Sequence, residues 1–128
     1  MYYFIGKIDI KIYSCITSDI TTDELIITDR QLTHITERHK GDFSNTNDII
    51  NSIFEAVSDP DYIIEANKPH SALILKQLSS NKRTRLVIRI KTNEDSSNYK
   101  NSIITLQKIR EKEWNRLINN KKVLYKNK

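Results

Sequence analysis

The chain has 128 residues, 38% hydrophobic and 29% charged, which fits one soluble domain with a single core. Two glycines and two prolines exclude a glycine-rich phosphate loop, a collagen-like repeat and a proline-rich linker; the lone Cys15 excludes an internal disulfide and a cysteine-based zinc site. The net charge of +5 is unevenly laid out. Residues 1–66 hold five Lys and Arg against twelve Asp and Glu, and residues 67–128 hold sixteen against four. Such asymmetry points to a basic face and a polyanionic partner, with ordinary solvated surface charge as the plainer alternative.

In chain order, Phe4, Ile8, Ile10 and Ile12 alternate with Lys7, Asp9 and Lys11, which predicts a half-buried strand over 4–13. The start of the chain lacks a signal peptide's continuous apolar stretch, and no apolar run approaches the roughly 18 residues of a membrane span. After a polar connector, Leu25, Ile26 and Ile27 lead into a helix. Thr28 and Gln31 have capping-box spacing and Gly41 suits a C-cap, so the helix is expected over 29–40. Ile49, Ile50, Ile53, Phe54 and Val57 predict a second helix from Thr46 to Val57, ended by Ser58-Asp59-Pro60.

Strand-like runs follow at Tyr62–Glu65, Ala72–Leu78, Arg85–Thr92 and Ser102–Ile109, the first three joined by short polar connections. A loop is expected over 93–98, a helix over Glu111–Asn119 and a short terminal strand over Val123–Tyr125. Helices first and an antiparallel meander second predict an α+β domain with helices on one face of a sheet.

Candidate chemistry gathers in three places. On the first helix, His39 aligns with Leu32 and Ile35 and should point toward the sheet, while His34 and Arg38 share a more open flank. Two imidazoles there suit general acid–base catalysis; a surface His and a core-edge His fit the same spacing. The i, i+5 separation does not match a helical zinc pair, so no metal is expected. On the sheet, Arg85, Arg89 and Lys91 share one parity, opposite Leu86, Ile88 and Ile90. Such a row suits phosphate contacts and is equally what a solvent-facing strand carries. Lys76 stands out in an apolar run, where an ammonium needs a partner. On the fourth of these strands, Tyr99, Lys100, Asn101, Ser102 and Thr105 could hold a phosphodiester, or simply start a strand. Lys108, Arg110, Lys112, Arg116, Lys121, Lys122, Lys126 and Lys128 end the chain as a nucleic-acid surface or a solvated face.

The segments Ile27–His39, with its "H…ERH" pattern, Asp59–Ile64 and "YKNSIIT" over Tyr99–Thr105 resemble the phage branch of the barnase–EndoU–colicin–RelE (BECR) nucleases. The resemblance runs from about Ile26 to Tyr125, with residues 1–22, a leading strand and connector, less clearly covered. It implies an α+β fold over the whole chain as one domain: an N-terminal strand and two helices, a four-stranded antiparallel sheet, and a late C-terminal helix. It further implies a metal-independent endoribonuclease of toxin or effector type without cofactors, in which the ribose 2′-OH attacks the adjacent phosphate to leave a 2′,3′-cyclic phosphate. Carried over, His34 and His39 are the acid–base pair, Arg38 and Lys76 stabilise the phosphate, and Ser102 and Thr105 orient it. Arg85, Arg89, Lys91, Tyr99, Lys100, Asn101, Lys121 and Lys122 complete the expected RNA contacts. The implied partners are tRNA or single-stranded RNA and an immunity or antitoxin protein, not a membrane. With no fused delivery segment evident, the expectation is a stand-alone phage or prophage protein in the bacterial or infected-cell cytoplasm, delivery as an effector being the variant. The alternative is a non-catalytic RNA-binding module or phage accessory protein on the same fold.

Overall fold

A computed structural model describes residues 1–127. Strand β1 spans Tyr2–Lys7. The expected strand over 4–13 stops there, because Asp9 accepts a hydrogen bond from the Lys11 amide at 2.9 Å and caps a short helix, α1, Ile10–Tyr13. Helix formation turns Tyr13 into the core, where its hydroxyl donates to the Val57 carbonyl at 2.7 Å. The apolar lead Leu25–Ile27 is itself a strand, β2, Glu24–Thr28. Helix α2 follows at once, Asp29–Arg38. Its capping box is made as expected: the Gln31 amide donates to Thr28 Oγ1 at 3.2 Å, and the Thr28 amide donates to Gln31 Oε1. Helix α2 ends two residues sooner than expected, with His39 as C-cap and Gly41 beyond it at φ 94.

Helix α3, Thr46–Ser58, starts on Asn45, whose side chain accepts from the Asp48 amide at 2.8 Å. The remaining elements are β3 (Tyr62–Glu65), β4 (Ser71–Ser79), β5 (Lys82–Arg89), β6 (Asn101–Ile109), α4 (Glu111–Asn120) and β7 (Val123–Lys126).

Among the described residues the strands form one sheet of seven, in the order β1-β2-β6-β5-β4-β3-β7, rather than the expected four. The additional strands are the chain's short ends and the lead into α2, which extend the β3–β6 meander on both sides. All pairings are antiparallel except β2 with β6. That parallel pairing covers only Asn101 and Ser102, so the rest of β6 has no strand partner on that side, and α2 packs along it instead.

Helices cover both faces of the sheet, not one. Tyr13, Leu32, Ile35, Ile49, Ile53, Ala56 and Val57 from α1–α3 pack on Ile74, Leu86, Ile88, Ile103 and Leu106. On the opposite face, Leu117 with Trp114 and Ile118 of α4 packs on Ile64, Leu73, Leu75, Val87 and Ile109. The consecutive apolar residues Leu73, Ile74 and Leu75 carry the reason: a strand apolar on both parities must be buried on both sides. At the β1 edge, a bulge falls between Phe4 and Gly6, and a Cβ on Gly6 would stand 3.1 Å from the Phe54 ring.

Candidate active site

The C-terminal half of α2 brings His34 and His39 together, their rings edge-on with centroids 6.2 Å apart. His34 is exposed and His39 half-buried, as their helical positions predict. Neither ring hydrogen-bonds to another group among the described residues. The end of α2 is tied to the far end of β6: the Asp42 amide donates to the His39 carbonyl at 3.0 Å, and the Lys108 amide donates to Asp42 Oδ2 at 3.1 Å. Burial pushes the His39 imidazole below its usual range; Asp42 works against this, and the charges of His34, Arg38 and Arg85 add to it. His39 therefore stands within electrostatic reach of Arg85, although the two come from different elements.

Arg85 lies on β5 opposite Gln107 of β6, and Thr105 lies opposite Val87, two pairs further along. All four belong to the sheet face that α4 partly covers. Arg85 Nε and Thr105 Oγ1 are buried without a hydrogen-bond partner among the described residues. Unpaired buried polar atoms are costly, and two as close neighbours on one face mark a place where an oxygen-rich ligand would be stabilised.

From Arg85 the face opens into a cleft of about 1090 Å³, floored by Leu73, Val87, Ile104 and Leu117 and edged by Lys68, His70, Arg89, Arg116 and Lys121. Its guanidiniums are held in place by carboxylates. Arg89 pairs with both oxygens of Asp95 at 3.0 and 2.9 Å, and that pairing with the Thr92 amide lowers the Asp95 carboxyl to about 2. Glu113 accepts two hydrogen bonds from Arg116 at 2.7 and 2.8 Å and lies 3.7 Å from Arg85.

A family model described as phage-Barnase-EndoU-ColicinE5/D-RelE like nuclease2 matches residues 5–126. The chain belongs to this nuclease family. The match takes in all but the first three residues of β1, and so reaches well before Ile26, where the resemblance in sequence became clear. The three motif segments of this nuclease fall on α2, on the turn from α3 into β3, and on the start of β6. No curated protein and no solved structure matches the chain.

The expected site residues divide. His34, Arg38 and His39 lie together at the end of α2, which packs against β6; Arg85 and Thr105 lie on the α4 face of the sheet, and Ser102 lies further along β6 opposite Arg89. Arg89 and Lys121 line the cleft. Lys76 is drawn elsewhere. It is buried on the α3 side, its Nζ 3.1 Å from Asp59 and 3.5 Å from Asp61. Burial is the largest influence on that ammonium and lowers its pKa, but the two carboxylates together raise it above its usual value. Lys76 is thus a charge neutralised within the fold, not one presented to a phosphate. Asn101 is also structural: fully buried, it accepts from the Lys91 amide at 2.8 Å and donates to the Thr22 carbonyl at 2.7 Å. Lys100 pairs with Glu24 at 2.6 Å, Tyr99 stands exposed on the loop before β6, and Lys122 lies exposed outside the cleft lining. Lys128 lies outside the described residues.

Two contributors escaped sequence reasoning. His70 sat in a polar connector and Glu113 on the last helix, whose Arg116 was among the cations read as a nucleic-acid surface or a solvated face. Only the cleft reveals His70, whose backbone is left-handed at φ 59. Among the described residues, no three His, Cys, Asp or Glu side chains come close enough to hold a metal ion.

Proposed function

We propose that this nuclease cleaves single-stranded RNA or tRNA by 2′-OH attack, with His39 and His34 as the acid–base pair and Arg85 and Thr105 as the phosphate-binding groups. The observation that carries the reading is the pair of unpartnered atoms, Arg85 Nε and Thr105 Oγ1, on the sheet face within reach of the charge on His39. His39, biased toward its neutral form by burial, takes the proton from the 2′-OH. The 2′-oxygen bonds to phosphorus, the bond from phosphorus to the 5′-oxygen breaks, and His34 protonates that oxygen as it leaves. The products are a 2′,3′-cyclic phosphate and a 5′-OH. Such a pair contributes roughly 10²–10⁴-fold per proton transfer. Arg85 and Thr105 stabilise the charge that builds on the non-bridging oxygens, where preorganised donors act most strongly. Ser102 orients the chain from further along β6, and Arg38 adds positive charge at the rim. Toxin or effector action in a bacterial cytoplasm, countered by an immunity protein, is the setting such an activity fits.

The test is incubation with total tRNA and mixed RNA in EDTA, products being scored by gel and for a cyclic phosphate end. Cutting that persists in EDTA and is lost in His34→Ala and His39→Ala is the expected result. Cutting that requires a divalent cation removes the mechanism. Intact RNA with retained, salt-sensitive binding turns the reading into a non-cutting RNA-binding module.

A further inference from the structure

We infer that the cleft beyond Arg85 holds a nucleotide flanking the scissile phosphate, and that His70 is the residue that stacks on its base. The inference rests on the nuclease reading above and adds a subsite to it. Arg85 and Arg89 are four residues apart on β5, which sets the two ends of the row about 13 Å from each other. His39 stands at the Arg85 end, since its carbonyl is tied through Asp42 to the amide of Lys108, which pairs with Thr84 beside Arg85. His70 stands at the Arg89 end, since Ser71 pairs with Arg89 and the His70 carbonyl accepts from the Ile90 amide at 2.8 Å. A chain entering from the histidine pair along this row must cross the cleft to reach His70.

The cleft has the composition a nucleotide requires. Leu73, Val87 and Leu117 offer an apolar floor, and the guanidiniums beside them are already oriented by Asp95 and Glu113. A volume of about 1090 Å³ takes a nucleoside with its phosphate. His70 is the one non-glycine residue with positive φ among the described residues; it lines the cleft, half-buried, and its ring makes no hydrogen bond to them. A side chain held in a sparsely populated backbone region against a cleft is a recurring mark of ligand contact. Histidine rings are among the platforms on which unpaired bases stack.

The probe is a fluorescent single-stranded 2′-O-methyl RNA, which lacks the attacking hydroxyl and so reports binding alone. Wild type is compared with His70→Asn and His70→Gly, both of which tolerate a left-handed backbone and remove the ring without straining the chain. Both variants are expected to bind roughly tenfold more weakly with an unchanged salt slope, because stacking releases no counterions. Unchanged affinity, a salt slope that falls with the affinity, or no binding by wild type overturns the inference. So does a loss of binding that tracks a large drop in melting temperature in both variants. Binding that depends on His70 in a protein that leaves cleavable RNA intact would sink the nuclease mechanism and leave the subsite standing. Cleavage by wild type with no His70 dependence would do the reverse.

Discussion

The two parities of β5 are one residue apart in sequence and opposite in purpose. Leu86 and Ile88, with Ile90 just beyond the strand, are fully buried under α1–α3, where each side chain adds about 1.5–3 kcal/mol by leaving water. Arg85, Val87 and Arg89 face α4 and the cleft, half-buried, with their charges held by Glu113 and Asp95. One face supplies a rigid platform, and the other uses that rigidity to hold cations where solvent alone would let them wander. Covering the second face only partly, with a single ten-residue helix, is what leaves the cleft open.

The division is broken most directly by one substitution on each face. Ile88→Ala should cost about 2–5 kcal/mol in urea unfolding, the range for a large-to-small change in a closed core. Arg85→Ala should cost far less stability but lower RNA cleavage roughly 100-fold, chiefly in kcat, as expected for a donor to the transition-state charge. If the two variants unfold at the same urea concentration, the faces do not divide the work as argued.

A smaller effect tests whether the cleft's carboxylates are part of its framework. Asp95→Asn removes the negative charge and one of the two oxygens that accept from Arg89 and the Thr92 amide, and should destabilise by about 1–2 kcal/mol at neutral pH, discounted because Arg89 is partly exposed. The folded Asp95 titrates near 2, below the ordinary 3.8. Its contribution is therefore fully present above that ordinary value and fades as pH falls toward 2. Wild type and variant should converge in stability under strong acid; a constant difference down to pH 2 would remove the ion pair from the explanation.

His39 carries a pH signature of the opposite neighbourhood. Because burial lowers its folded pKa from the ordinary 6.5, the unfolded chain takes up a proton first as pH drops. The stability linked to this ring is present above pH 6.5 and is lost as the pH falls through the lowered value. Wild type should thus lose stability more steeply than His39→Gln on acidification from neutral pH. Parallel curves would place the ring in open solvent.

How much of this was legible in the sequence follows from which forces are local. The Thr28–Gln31 box, the apolar spacing of α3 and the alternation along β5 were readable because caps and burial periods act within a few residues. The seven-stranded extent was not, because β1, β2 and β7 depend on partners distant in sequence. Strand β2 looked like the approach to a helix for that reason. Lys76 was correctly read as needing a partner, but its partners Asp59 and Asp61 belong to the turn after α3, and only the fold brings them together. The histidine pair could be seen from helical spacing; the influence of the Arg85 charge on His39, and His70 with its left-handed backbone, could not.

The finest distinction is between two adjacent lysines. Lys121 lines the cleft, half-buried, with its Nζ 3.5 Å from Asn67, whereas Lys122 is exposed outside the lining. A solvated cationic tail would make the two equivalent, since both lie at the end of α4 with the same charge. A localised RNA track makes them unequal: Lys121→Glu should weaken binding of single-stranded RNA and reduce the salt slope by about 0.7, one phosphate contact's worth, while Lys122→Glu changes either by much less. Equal losses would mean that the basic half of the chain attracts RNA through its summed field alone. The cleft would then be a consequence of how α4 packs, and the substrate's path would have to be sought at the histidine pair without it.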